Sequence, residues 1–280
     1  MVEVLLDACI DTLKLLPYLF LTFIILELIE HKLTKKNEKL LIKNKKYGVL
    51  IGGLLGALPQ CGFSSMAANL FSNKVITIGT LIAVFLSTSD EMIPIMISEK
   101  INILLLLKII IFKIIIGIII GFIVDYIYKS KIKKSNKDIH DMCEKEHCSC
   151  EKHGIIISSL IHTIKIILFI VIVNIILNLL ISYIGEESLG KILLNKNIIT
   201  YFLASLIGLI PNCASSVVLT ELYISNLITI GTLLSGLLTG SGLGILLLFK
   251  TNKDLKQNLI ILSIIYFVGV FIGIIVDILI

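Results

Sequence analysis

The chain has 280 residues, of which 56% are hydrophobic, and its mean hydropathy is +1.01. Soluble domains of this length do not carry Ile and Leu in such long runs, so the composition indicates a helical protein that crosses a membrane several times. The net charge is +5, and the basic residues are all Lys, placed in short polar runs between apolar segments. This placement is typical of cytoplasmic loops and argues against a nucleic-acid-binding surface.

Several of the apolar segments are too short to cross a membrane. Segments 47–58 and 62–73 would each be ~18 Å long as helices, against ~30 Å of hydrocarbon. They predict a hairpin with Pro59 at its tip, while the longer segment 75–98 is interrupted at residues 87–91. The predicted apolar segments, in chain order, are about 13–30, 47–58, 62–73, 75–98, 101–128, 154–183, 198–210, 214–225, 227–249 and 255–279.

The second half of the chain repeats the first at a constant shift of 152 residues, without a gap. Residues 76–81 and residues 228–233 are identical. Similarity between apolar runs would not by chance also keep Pro, Cys, Gly and Asp in register, so we infer a duplication. The matched pairs are Gly56 with Gly208, Pro59 with Pro211, Cys61 with Cys213, Gly117 with Gly269, Gly121 with Gly273, and Asp125 with Asp277.

The distribution of Lys predicts the topology. Loops 31–46 and 129–153 hold seven Lys each and are expected in the cytoplasm, whereas loop 184–197 has balanced charge and is expected outside. Each half then crosses an odd number of times, which relates the halves by an axis in the membrane plane. The predicted fold is an all-α polytopic transmembrane bundle with inverted repeats at 1–128 and 154–280, joined by a cytoplasmic linker at 129–153.

Two matching interruptions combine a Pro with amide, thiol and hydroxyl groups inside apolar sequence. Pro removes a helical hydrogen bond, and the polar groups would be unpaired in hydrocarbon, so such pairs are typical of a transporter's substrate site. The alternative is an ordinary Pro kink with Cys as a small packing residue. The candidate substrate ligands at the interruptions are Pro59, Gln60, Cys61, Ser64, Ser65, Pro211, Asn212, Cys213, Ser215 and Ser216.

A second candidate group lies in the interrupted segment 75–98, where Ser87, Ser89, Asp90 and Glu91 are the predicted substrate ligands. Two adjacent acids inside a membrane span are costly and therefore point to function, and their oxygens suit Mn²⁺. The alternative places 87–91 at the membrane surface, in water.

Two lysines inside the long segment 101–128 are candidate partners of these acids. We expect Lys113, and less directly Lys108, to be the counter-ion of the acidic pair when no metal is bound. The repeat carries apolar residues at the equivalent positions, Ile265 and Ile260, so intramembrane charge of both signs is expected in the first half alone.

The linker contains three thiols and three imidazoles between residues 140 and 153. Three or four of them could close a tetrahedral site for a soft metal, which would make the linker a cytosolic metal collector or sensor. The alternative is a linker whose Cys and His are incidental. The candidate metal ligands are Cys143, His147, Cys148, Cys150 and His153.

Segments 58–64, 85–92 and 210–214 resemble the ten-helix heavy-metal exporters, a family also named arsenic efflux proteins or manganese transporters. The resemblance covers nearly the whole chain and implies export of a metal or metalloid, without deciding which one.

We therefore expect a multi-pass transporter in a bacterial inner membrane that exports Mn²⁺ or a similar divalent cation by alternating access, coupled to protons. Its expected partners are the lipid bilayer and the transported metal, with no nucleic acid and no permanently bound cofactor; its oligomeric state stays open. The main alternative is efflux of arsenite or an organoarsenical through Cys61 and Cys213. A passive channel is a weaker alternative, and so is an intramembrane enzyme, because the sequence has neither a His-Glu-x-x-His motif nor a positioned His base within a span.

Overall fold

The computed structural model describes residues 45–58, 61–89, 92–129, 198–211 and 213–279, together with the isolated positions 17, 20, 21, 24, 160, 164, 168 and 172. The described ranges are helical and contain no strand. The helices are α1 (Lys45–Gly56), α2 (Cys61–Ser72), α3 (Ile78–Ser87), α4 (Met92–Ser98), α5 (Ile103–Lys129), α6 (Ile198–Gly208), α7 (Cys213–Ile224), α8 (Ile230–Thr239), α9 (Gly244–Thr251) and α10 (Leu255–Leu279).

Four stretches of the described residues are long and apolar enough to cross a membrane: Ile78–Ser98, Ile103–Tyr128, Ile230–Thr251 and Leu255–Leu279. The two broken spans, α3 with α4 and α8 with α9, are 75% and 83% buried, whereas the unbroken α5 and α10 are 22% and 33% buried. The broken spans therefore form the centre of the bundle, and the unbroken helices present most of their apolar surface to lipid. The predicted helical membrane bundle is confirmed.

A carboxylate at the end of α5 caps the beginning of α3. Asp125 accepts hydrogen bonds from the Thr77 hydroxyl at 2.6 Å and from the Gly79 main-chain N–H at 2.8 Å. A negative charge is favourable there, because a helix N-terminus has unpaired N–H groups and a positive dipole end. A β-carbon on Gly121 would lie 2.6 Å from the Gly79 carbonyl oxygen, so only glycine lets α5 approach α3 this closely.

The same cap recurs in the second half. Asp277 accepts hydrogen bonds from the Thr229 hydroxyl and from the Gly231 N–H, the latter at 2.8 Å. Tyr201 adds a third donor at 2.7 Å, and the first half has Val49 at that position. A β-carbon on Gly273 would lie 2.6 Å from the Gly231 oxygen, the distance found in the first half. The contacts of the two halves thus follow the 152-residue shift.

Helices α1 and α3 run side by side in the same direction. Gly48 lies against Thr80 near their beginnings, and Gly56 lies against Ser87 near their ends. Since α2 ends at Ser72 and α3 begins six residues later, α2 returns to the level at which α1 starts. This geometry agrees with the predicted hairpin for 47–73, whose tip residues Pro59 and Gln60 lie outside the described residues.

The short helices after the Pro interruptions pack across the repeat boundary. Helix α2 lies along α9, with Ser72 Oγ 2.5 Å from Thr251 Oγ1. Near its other end α2 brings Ser64 against Gly244, so α2 and α9 are parallel. The equivalent helices, α7 and α4, also pack together. A short helix of each half is therefore packed against a short helix of the other half.

Candidate functional site

Four helix breaks, at 57–60, 88–91, 209–212 and 240–243, separate the short helices of the bundle. Cys61 and Cys213 are the first residues of α2 and α7, and each follows a Pro interruption. The thiols of both cysteines lie outside the described side chains.

Within each half, the two breaks lie next to each other. A β-carbon on Gly56, at the end of α1, would overlap Ser87 Oγ at the end of α3. In the second half a β-carbon on Gly208 would overlap Thr239 Oγ1 in the same way. The absence of a side chain at these two glycines therefore lets the ends of neighbouring helices meet.

The breaks of the two halves also meet at the centre of the molecule. A β-carbon on Gly244, at the start of α9, would lie 2.9 Å from Ser64 Cβ in α2 and 2.8 Å from the ring of Phe85 in α3. The start of α9, directly after the fourth break, thus contacts α2, which follows the first break, at the candidate Ser64. It also contacts α3, which precedes the second break, at Phe85, two residues before the candidate Ser87.

The hydroxyl groups at the breaks are inside the protein. Ser87, Thr88 and Ser89 are at most 2% exposed, and the side chains of Ser64 and Ser65 are fully buried. This burial excludes a position in surrounding water for residues 87–89. Of the candidates in the second half, Ser215 is buried and donates a 3.4 Å hydrogen bond to the Ile210 carbonyl, and Ser216 and Pro211 are partly buried.

Among the described residues, two buried hydroxyls have no hydrogen-bond partner. These are Ser65 Oγ in α2 and Ser241 Oγ in the fourth break. A buried hydroxyl without a partner costs about 1–3 kcal/mol, and such groups in native proteins commonly mark a water or ion site. Ser241 was not among the candidate ligands predicted from the sequence.

Lys113 is fully buried in the middle of α5. Its ammonium group donates hydrogen bonds to the main-chain carbonyl oxygens of Thr88 and Leu237, the second at 2.9 Å. Thr88 follows the last residue of α3, and Leu237 lies in the last turn of α8. One side chain therefore joins the C-terminal ends of the broken helices from both halves.

Lys108 differs from Lys113 in position. Its side chain is exposed, and five residues along a helix correspond to about 140° of rotation, so Lys108 faces away from the breaks. The structure therefore brings Lys113 to the candidate site and leaves Lys108 on the surface of the bundle.

The carboxylates expected to bind metal are Asp90 and Glu91, which lie outside the described residues together with Pro59, Gln60 and Asn212. The linker ligands Cys143, His147, Cys148, Cys150 and His153 lie outside them as well. Among the described residues, no group of three or more His, Cys, Asp or Glu side chains is placed to hold a metal ion. The acids and the linker therefore remain predictions from the sequence.

Buried broken helices that meet at the centre of a helical bundle are typical of one class, the polytopic membrane proteins with interrupted helices. The family described as "Putative, 10TM heavy-metal exporter" matches residues 1–186, and the chain belongs to this family. This description, of a membrane exporter of heavy metals, agrees with the resemblance found in the sequence. No curated protein and no solved structure matches the chain.

Proposed function

We propose that this protein exports a divalent heavy-metal cation, Mn²⁺ first among them, from the cytosol across a bacterial inner membrane. Transport proceeds by alternating access, and protons exchanged at Asp90 or Glu91 drive it. The sequence holds no Gly-x-x-x-x-Gly-Lys-Ser/Thr motif that would bind the phosphates of ATP.

One observation supports this proposal: buried hydroxyl groups lie at or next to the four helix breaks in the interior of a membrane bundle. Within the described part of the chain, Ser65 and Ser241 supply hydroxyls without a hydrogen-bond partner, and Ser87 and Ser89 at the second break are also buried. Hydroxyl, amide and carboxylate oxygens are the ligands that Mn²⁺ prefers. Asp90 directly follows the buried Ser89 in the chain, and we propose that its carboxylate is a further oxygen ligand.

The charges support a cation over an anion as the substrate. Asp90 and Glu91 provide two negative charges, and buried Lys113 provides one positive charge from the neighbouring helix. The formal charges of these three side chains then sum to about −1 when no metal is bound. Binding of a divalent cation reverses the sign of this charge, and binding of one proton neutralises it. This balance favours exchange of protons for a metal ion.

The orientation is supported by the Lys residues at one face of the bundle. The contact between Ser72 and Thr251 brings the C-terminal ends of α2 and α9 together. The hydrogen bond from Thr77 to Asp125 places the C-terminal end of α5 at the same face of the bundle. Lys74 and Lys250 lie at this face, where positive charge indicates the cytoplasm. Parallel packing of α2 with α9 also fits halves of opposite orientation, as alternating access in inverted repeats requires.

The second candidate function is efflux of arsenite or an organoarsenical. It is favoured by the position of Cys61 and Cys213 at the first residues of α2 and α7. A helix N-terminus stabilises a thiolate, and trivalent arsenic prefers thiolates to oxygen ligands.

Metal accumulation in cells with and without the protein tests the proposal. Cells that lack the exporter should accumulate Mn²⁺ when challenged, and expression of the wild-type chain should lower the cellular content. Zn²⁺, Fe²⁺, Cu⁺ and arsenite serve as comparisons in the same cells. Unchanged Mn²⁺ content together with reduced arsenic content would reject manganese as the substrate and favour the second candidate.

A further inference from the structure

We propose that the carbonyl oxygens of Thr88 and Leu237 form a binding site for a monovalent cation, and that the Lys113 ammonium group is its built-in occupant. We name these two oxygens the carbonyl cradle. The cradle is shared between the halves of the molecule, because Thr88 follows α3 and Leu237 lies in α8.

The cradle consists of groups that a helix leaves unpaired. The last carbonyls of an α-helix have no partner within the helix, so they need one from elsewhere when they are buried. The neighbouring carbonyls of Val84 and Gly236 are satisfied by the N–H groups of Thr88 and Gly240. The cradle oxygens accept their hydrogen bonds from Lys113 instead.

The charge of the cradle matches one monovalent cation. A helix C-terminus carries a partial charge of roughly −0.5, so two C-termini together contribute about −1. This field acts on an ammonium group that is fully buried in the membrane interior, where a lone positive charge would be costly. A cation is therefore favoured at this point whether or not it is attached to a side chain.

The repeat shows that only one of the two matched positions carries the cation. The position equivalent to Lys113 is Ile265, which is also fully buried, and the position equivalent to Thr88 is Gly240. The fold does not need a buried charge at this position, because α10 in the second half packs in the equivalent way with Ile265. The charge therefore serves the shared centre between the halves.

The consequence for transport rests on the proposed function. By holding the ends of α3 and α8, Lys113 stabilises the conformation in which the breaks meet, and the metal cation of the proposed function would repel the ammonium group. Metal binding would then weaken the link between the halves, which is what a change in access requires.

Chemical rescue tests the cradle without measuring transport, so its result is separate from the fate of the proposed function. The full-length Lys113→Ala variant removes a propylammonium fragment and leaves space for it. In detergent its Tm should be lower than that of the wild type, and propylammonium should raise it by about 3–5 °C at ten times its dissociation constant. Propanol, which has the same shape without the charge, and choline, which is too large, should not raise it.

Ile109→Ala is the matched control, because Ile109 lies one turn away on α5, is buried and packs in an apolar cluster. Its Tm should fall without rescue by any of the additives. Equal rescue of Ile109→Ala or of the wild type, or the absence of rescue in folded Lys113→Ala, would overturn the proposal. If Lys113→Ala is recovered only from cultures that contain propylammonium, the proposal is supported. Failure to recover it under either condition overturns the proposal, since a cradle that accepts the ion would be filled during synthesis.

Discussion

Lys113 and Ile265 occupy equivalent positions in the two halves, and both side chains are completely buried, although only one of them is charged. Around them the halves agree closely: Asp125 and Asp277 make the same cap, and Gly121 and Gly273 make the same close approach. The two halves therefore share the same packing but differ at this one buried position. This difference indicates that the halves share one cation site rather than having two.

The first prediction concerns the charge of Lys113. Lys113→Met keeps much of the side chain's volume but leaves the carbonyls of Thr88 and Leu237 without a charged donor. We expect metal export to be lost, whereas Lys113→Arg should retain part of it because the charge remains. Metal efflux from loaded cells, normalised to the amount of protein in the membrane, measures this. Full export by Lys113→Met would contradict the assigned role.

The second prediction concerns the caps, which are matched between the halves. Asp125→Asn and Asp277→Asn each weaken charge-assisted hydrogen bonds to a helix N-terminus, at a cost of about 1–3 kcal/mol. Asp277→Asn should cost more, since Tyr201 also donates to this carboxylate. Thermal unfolding in detergent measures both variants.

Tyr201→Phe provides the control for this comparison. It removes the donor that the first half does not have, so Asp277→Asn in the Tyr201→Phe background should cost about as much as Asp125→Asn does alone. Equal effects of the two single Asn variants would mean that the Tyr201 hydrogen bond contributes nothing to stability.

The third prediction tests the orientation. A single cysteine introduced at Glu187 should be labelled by a membrane-impermeant reagent from outside intact cells, and one introduced at Lys36 should be labelled only after the membrane is opened. The native cysteines are replaced in both variants. The reverse pattern, or labelling of both positions from outside, would remove the argument for inverted halves.

The fourth prediction concerns the linker. Changing Cys143, Cys148 and Cys150 together to Ser should lower export when metal is scarce and leave the maximal rate nearly unchanged, because a collector raises the local supply of metal without forming the pathway. Export rates over a range of cytosolic metal concentrations separate the two effects. Complete loss at saturating metal would instead make the linker part of the pathway.

Much of the fold could be predicted from the sequence because its signals are local. Apolar length and the Pro interruptions indicated which segments span and which are broken, and the described helices begin and end within a few residues of those bounds. The 152-residue register singled out Asp125 and Asp277 before their role was visible. Their function as caps could not be predicted, because it depends on contacts with Thr77 and Thr229 that lie 48 residues away.

The partners of Lys113 show the limit of prediction from sequence. Intramembrane charge suggested a pairing with Asp90 and Glu91, and this pairing stays a prediction. The hydrogen bonds to Thr88 and Leu237 could not be foreseen, since main-chain carbonyls are present at every residue and only the fold decides which of them remain unpaired. The pairing of α2 with α9 across the halves was equally hidden, because apolar helix faces do not specify their partners.

The most direct test of the central claim compares Mn²⁺ export and arsenite resistance in two variants of the same protein. Asp90→Asn keeps the shape of the side chain and removes the charge that pairs with a divalent cation, so it should abolish Mn²⁺ export. Cys61→Ser combined with Cys213→Ser should weaken export only in part, since oxygen ligands dominate the site. If the double Cys variant loses all arsenite resistance while Asp90→Asn keeps it, the manganese assignment is wrong and the two thiols form the site.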